Sequence, residues 1–161
     1  MFREMRRIRQ LLTQEECEEI LRRNTAGTLA LAGDNGYPYA LPISYVYHDG
    51  KLFFHGAKTG HKIDAVRREE KASFSVIDKD QIVPEEYTTY FRSVIAFGRM
   101  RILEDDAEKR AAIEILAANY GPDDPEGRQQ AIDREWNALC ILEFSIEHMT
   151  GKQAIELCRK S

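Results

Sequence analysis

The stretch Phe53-Phe54-His55-Gly56-Ala57-Lys58-Thr59-Gly60-His61-Lys62-Ile63-Asp64 decides the interpretation of the fold. An apolar strand ends in it, a turn containing glycine follows, and a helix begins. His61 and Lys62 lie in the first turn of that helix, where cations oppose the helix dipole. Free backbone N–H groups beside cationic side chains favour an external anion, and a phosphate monoester is the natural candidate. The alternative is a solvated basic turn that binds no ligand.

Period-two patterns and tight-turn signals on both sides of this stretch predict a series of antiparallel strands. Asp34-Asn35-Gly36 and Asp49-Gly50 supply the positive φ angles that tight hairpin turns require. A barrel closes such strands without long exposed edges, so we expect a small antiparallel barrel with helices packed outside it. The segment Asp78–Thr89 carries Pro84 and several charges and is predicted to be an irregular loop. The six predicted strands are Thr28–Ala32, Tyr39–Tyr47, Lys51–Ala57, Lys71–Ile77, Tyr90–Leu103 and Ala138–Ile146.

Capping and breaker residues mark where helices start and where strands are interrupted. Thr13 with Glu16 forms a capping box at the first of four predicted helices, and Asp124-Pro125 begins the last. Gly98 interrupts the fifth strand, where a β-bulge or a close backbone approach is expected. Thr150-Gly151-Lys152 is expected in a turn after the last strand. Because no repeat or linker divides the 161 residues, one domain is predicted.

The composition argues against several classes of protein. A net charge of −4 and a pI near 5.6 disfavour a nucleic-acid surface covering the whole domain, so any anion site must be local. The longest apolar runs are too short to cross a bilayer, and the basic N-terminus lacks the apolar core of a signal peptide. Three widely spaced cysteines without a CxxC pair are typical of reduced thiols in the cytoplasm. The histidines have no cysteine or carboxylate at metal-ligand spacing, so no metal is expected.

The pattern His55-x-Ala57-x-x-Gly60-x-Lys62-x-Asp64 resembles the signature of the nitroimidazole-resistance-like flavoproteins. These belong to the FMN-binding split barrels related to pyridoxamine 5′-phosphate oxidase. The segments Gly36–Tyr45, Ser93–Arg99 and Met149–Lys152 are similar to further parts of that family, so the resemblance runs from Thr13 to Lys152. It implies a mainly β (α+β) fold, a six-stranded antiparallel split β-barrel with flanking helices, and a homodimer with FMN sites at the interface.

The resemblance also implies roles for individual residues. His61 and Lys62 would bind the FMN phosphate. His61 departs from the arginine of the oxidase pattern, because histidine is only partly charged near neutral pH and lacks the bidentate fork of arginine. The other implied contacts are Pro42, Ile43, Ser44 and Tyr45 along the isoalloxazine and ribityl chain, His55 and Ala57 beside the ring, and Ser93 in place of a glutamine.

The function implied by the resemblance is an FMN-binding oxidoreductase that reduces small aromatic or nitro compounds. Its electrons would come from a reduced nicotinamide cofactor or another donor. One alternative is a flavin-binding or flavin-sensing protein without turnover, and another is a haem- or tetrapyrrole-binding protein on the same barrel. His55 is either a catalytic proton donor or a structural residue at a strand end, and Trp136 lines either a substrate pocket or the core. The C-terminal arginine–histidine motif of the oxidases is not found, so oxidation of vitamin B6 is not expected.

Overall fold

The computed structural model describes residues 1–120 and 123–158. Within these residues, seven strands form one antiparallel sheet that curls into a barrel. The strands are β1 (Ala26–Ala32), β2 (Pro38–Ser44), β3 (Val46–His48), β4 (Lys51–Gly56), β5 (Lys71–Val83), β6 (Thr88–Ile102) and β7 (Cys140–Gln153). The helices are α1 (Gln14–Arg23), α2 (His61–Arg68), α3 (Asp106–Ala118), α4 (Pro125–Glu135) and the short α5 (Ile155–Cys158).

The barrel is open at one place. The strand order is β2-β1-β5-β6-β7-β4-β3, so β2 and β3 are the two edges, although only Tyr45 separates them in the chain. The last residues of β4 extend past β3, which pairs only with Lys51 to Phe53. We call the gap between β2 and the end of β4 the barrel break. The expected mainly β class with a split barrel and flanking helices is confirmed.

The strand boundaries differ from the prediction in three places. The predicted strand Tyr39–Tyr47 is divided at Tyr45, which gives seven strands where six were expected. Asp78–Thr89 is no irregular loop: it continues β5 across a bulge after Ile77, turns at residues 84–86 and starts β6. Thr150-Gly151-Lys152 lies inside β7, paired with β6, and not in a turn. The prediction ended β7 too early because its second half is polar and carries no apolar alternation.

Turn and cap chemistry is confirmed where it was predicted. Asn35 and Asp49 have positive φ angles of 57° and 49°, and each is followed by a glycine with a positive φ. At the first helix, Thr13 accepts a hydrogen bond from the Glu16 N–H and Glu16 accepts one from the Thr13 N–H. Gly98 lies at a register shift between β6 and β7, and a Cβ there would lie 2.0 Å from the Ser145 carbonyl oxygen. Any side chain at this bulge would therefore clash with the backbone.

Two apolar cores hold the fold together. The interior of the barrel contains Leu29, Phe54, Phe74 and Phe144, each at most 1% exposed, and α1 adds its apolar face. The second core lies outside the barrel, where α3 and α4 cover Phe53 of β4 and neighbouring residues of β7. The middle of β4 is buried on both faces, so the strand exposes side chains only at its ends, at Lys51 and at His55. Among the described residues, no helix is both long and apolar enough to span a membrane.

A carboxylate cluster ties α1 to the sheet at the β5 bulge. The Asp78 side chain is 7% exposed and pairs with the guanidinium groups of Arg23 and Arg92. Asn24 donates a further hydrogen bond to it at 2.8 Å. These bonds, led by that from Arg23, hold the pKa of Asp78 well below its usual range.

Candidate functional site

The first turn of α2 bridges the barrel break. On one side, the His61 ring stacks on Tyr39 of β2 with ring centroids 3.8 Å apart, and its Nε2 lies 3.8 Å from Asp34. On the other side, the Lys62 ammonium lies over Gly56 at the end of β4, where a Cβ would come within 2.7 Å of Nζ. Gly56 therefore leaves room for the ammonium. The two predicted phosphate ligands are both at the break, but their side chains diverge.

The backbone at the start of α2 offers unpaired donors. Its N-cap is Gly60, with a φ of 132° and no side chain to cap the helix. The Asp64 N–H is the first to reach back to the Gly60 carbonyl, so the N–H groups of residues 61–63 have no intrahelical acceptor. These N–H groups, in a turn that also carries Lys62, fit a phosphate group.

The four predicted cofactor residues around the end of β2 have different environments. Pro42 and Ser44 are exposed on the outer side of the barrel, whereas Ile43 packs towards its interior. Tyr45 is 3% exposed, and its hydroxyl donates to the Leu21 carbonyl at 2.8 Å. Burial, with a smaller contribution from the charge of Asp78, raises the pKa of Tyr45. In this structure the Tyr45 side chain belongs to the core, so only its backbone lies at the break.

Ser93 lies on the same outer side as Pro42 and Ser44. The core residues Val94 and Ala96 point inward from β6, so Ser93 and Ile95 point outward. A row of outward residues crosses five neighbouring strands, because each is paired with the next: Pro42, Thr28, Ser75, Ile95 and Thr150. We use the name outer sheet face for seven outward side chains of β2, β1, β5 and β6, namely Pro42, Ser44, Thr28, Ser75, Ile77, Ser93 and Ile95. They are small or apolar, and Ile77 and Ile95 are 68% and 46% exposed.

His55 lies at the end of β4 on the side covered by α3 and α4. Its exposed imidazole lines an apolar groove of about 180 Å³ with residues of both helices, and Tyr120 lies edge-on with a centroid distance of 6.5 Å. Ala57 follows in the exposed turn that leads to α2. His55 therefore has a small apolar chamber on one side and the barrel break on the other.

Two aromatic residues at the site were not singled out from the sequence. Tyr39 holds the His61 ring, and Tyr120 forms one wall of the His55 groove. The apolar pattern of β2 includes Tyr39 but carries no signal for a stacking partner 22 positions later. In the part of the chain that the structure describes, no group of three or more histidine, cysteine or acidic residues is placed to hold a metal.

Comparison with known proteins gives a family and a set of similar folds. The family model described as pyridoxamine 5′-phosphate oxidase matches residues 13–153, most of the chain. A search of curated proteins finds no match.

Several solved structures are similar to this chain. A candidate 5-nitroimidazole antibiotic resistance protein from Bacteroides thetaiotaomicron is 22% identical, with a TM-score of 0.72 over 89% of this chain and 86% of that one. A FAD-binding protein from Mesorhizobium loti is 26% identical, with a TM-score of 0.66 over 90% and 97%. A FAD- and haem-binding protein from Mycobacterium smegmatis is 22% identical, with a TM-score of 0.72 over 91% and 73%.

Proposed function

The chain belongs to the pyridoxamine 5′-phosphate oxidase family, and from this membership we propose that it binds FMN at the barrel break and acts as an oxidoreductase. The substrates would be small aromatic or nitro compounds. The observation that carries the proposal is the first turn of α2, which sets three unpaired N–H groups and the Lys62 ammonium at the mouth of the break. Flavin binding by similar folds supports it.

The proposed flavin would extend from α2 along the outer sheet face. Its phosphate would meet the α2 N-terminus and Lys62, while the ring system would lie near Pro42, Ser44 and Ser93. His61 would act mainly by fixing the start of α2, since its ring is already stacked on Tyr39. The backbone of Ile43 and Tyr45, and the turn at Ala57, would complete the contact.

A homodimer would complete this site. The outer sheet face exposes Ile77 and Ile95 among small residues such as Thr28 and Ser75, and no helix of the described residues covers them. An apolar surface of this kind is typical of a protein interface. A second copy packed on this face would shield the flavin ring from water and leave the His55 groove open for a substrate.

At such a site the flavin supplies the two-electron chemistry. Electrons that pass to a nitro group must be accompanied by protons, which come from water or from a side chain. We assign this role to His55, because its imidazole is exposed and borders an apolar groove the size of a small aromatic ring. A reduced nicotinamide cofactor is the proposed donor.

Replacing Lys62 with alanine tests the phosphate contact. We expect the variant to bind FMN about ten- to a hundredfold more weakly, since a charge-assisted hydrogen bond contributes about 1.5–3 kcal/mol. Riboflavin affinity should change little, because riboflavin has no phosphate. Both dissociation constants can be measured by quenching of flavin fluorescence. Equal weakening of the two ligands would show that Lys62 does not meet the phosphate.

A further inference from the structure

A second cavity, of about 350 Å³, lies between α2, the start of α3 and the segment that joins α4 to β7. Lys58, Arg67 and Lys109 bring three cationic side chains to it, and Trp136 and Cys140 also line it. We call it the lysine cavity. The flavin proposal gives none of these five residues a role.

Lys109 is the least expected member of this cavity. The residue is 8% exposed, and its ammonium donates to the Trp136 carbonyl at 2.8 Å and lies 4.5 Å from the centre of the Trp136 ring. An ammonium has three N–H donors, so two remain for a ligand. Burial, and then the positive charge of Lys58, lower the pKa of Lys109. An anion bound beside the ammonium groups of Lys58 and Lys109 would relieve the repulsion between them.

The acidic residues of the cavity form no ion pair with its lysines, although the charge of Asp106 partly opposes the fall in the pKa of Lys109. Glu104 lies 3.6 Å from Arg67 and balances that guanidinium. Asp106 also lines the cavity. Across residues 1–120 and 123–158, however, no carboxylate lies within 4.0 Å of the ammonium of Lys58 or Lys109. Two lysines therefore face the same space without a paired counter-charge.

The Cys140 thiol is close enough to the positive charges around the cavity for them to affect its pKa. Burial raises the pKa of its thiol, and four cations oppose that rise. In decreasing order of effect, these are Lys109, Lys62, Arg67 and Lys58. Cys140 is paired with Gly56 of β4, over which the Lys62 ammonium lies, so this end of the cavity is close to the barrel break.

We propose that the lysine cavity binds the phosphate monoester of a nucleotide. A phosphate monoester carries close to two negative charges at neutral pH, which suits two unpaired ammonium groups better than a single carboxylate would. The volume is within the range of small-molecule sites. In the proposed reductase, this monoester would be the 2′-phosphate of a reduced nicotinamide adenine dinucleotide phosphate. That identification of the nucleotide rests on the proposed function.

The site can be tested without electron transfer. Trp136 is the only tryptophan of the chain and lines the cavity, so its fluorescence reports on occupancy. FMN-saturated protein is titrated with 2′,5′-ADP, with adenosine and with inorganic phosphate. We expect a saturable change with 2′,5′-ADP and none with adenosine. Lys58→Ala should weaken the nucleotide about tenfold or more, with the flavin content and melting temperature unchanged.

Lys71→Ala is the matched control, because Lys71 is an exposed lysine at the start of β5 and outside the cavity. It should bind 2′,5′-ADP like the wild type. The proposal is overturned if 2′,5′-ADP produces no saturable change, or if Lys58→Ala binds it as tightly as the wild type. Inorganic phosphate binding as tightly as the nucleotide would also overturn it, since the cavity would then hold an adventitious ion only. A protein without reductase activity that still binds the nucleotide would support this site and contradict only the proposed function.

Discussion

His55→Gln is expected to lower the turnover of a nitroaromatic acceptor about a hundredfold or more, with little change in FMN affinity. Glutamine keeps a hydrogen-bonding group of similar reach but cannot pass a proton to the substrate. Because the His55 imidazole is exposed and lines a groove formed by α3 and α4, its loss should leave the core intact. The rate is measured as oxidation of the reduced nicotinamide cofactor with the acceptor present.

Stopped-flow kinetics then identify the half-reaction that suffers. If His55 passes a proton to the acceptor, its loss should slow reoxidation of the reduced protein and leave reduction by the nicotinamide cofactor unchanged. His48→Gln is the control, since His48 is an exposed histidine in the hairpin between β3 and β4 and does not line the groove. Wild-type rates in both half-reactions of His55→Gln would restrict His55 to a structural or cofactor-contact role.

Asp78→Asn is expected to reduce the free energy of unfolding by about 2–4 kcal/mol. Breaking a buried ion pair typically costs about 3–5 kcal/mol, and the lower range applies here because the Arg23 side chain is half exposed. The amide would leave Arg23 and Arg92 without a carboxylate where α1 meets the bulge of β5. Urea denaturation followed by circular dichroism measures the difference.

The stabilisation by Asp78 should depend on pH with a definite sign. Since folding lowers the pKa of Asp78, its stabilisation is complete above the pKa of the unfolded state, about 3.9, and is lost as pH falls below it towards the folded-state pKa. As the pH falls from 5 to below the unfolded-state pKa, the free energy of unfolding should therefore decrease more in the wild type than in Asp78→Asn. Asp80→Asn, an exposed aspartate two residues along β5, should behave like the wild type. An equal pH dependence in wild type and Asp78→Asn would contradict this assignment.

Local backbone chemistry accounts for what the sequence predicted correctly. Asn35-Gly36 and Asp49-Gly50 can adopt positive φ at little cost, so their hairpins follow from the residues alone. The capping box at Thr13 and the bulge at Gly98 are equally local signals. These features depend on neighbouring residues in the chain and not on what packs against them. The structure therefore contains them where the sequence predicted them.

Features that depend on distant partners were not predictable in the same way. Residues 79–91 form a two-stranded arm whose strands pair with each other, so both faces meet solvent and no period-two burial pattern appears. The burial of the Tyr45 side chain could not be predicted, because the carbonyl that its hydroxyl bonds belongs to Leu21 on α1. The Lys109 side chain likewise gave no signal, because its burial depends on Trp136, 27 residues later.

Size-exclusion chromatography with light scattering and visible absorption on the same peak tests the central claim most directly, namely that two copies of this chain hold FMN between them. We predict a yellow peak with a mass of about twice 18.6 kDa, the absorption spectrum of an oxidised flavin, and one FMN released per chain. A monomeric peak with full FMN occupancy would contradict the shared site. A colourless peak that takes up no FMN, or a peak with a haem spectrum, would contradict the flavin site itself.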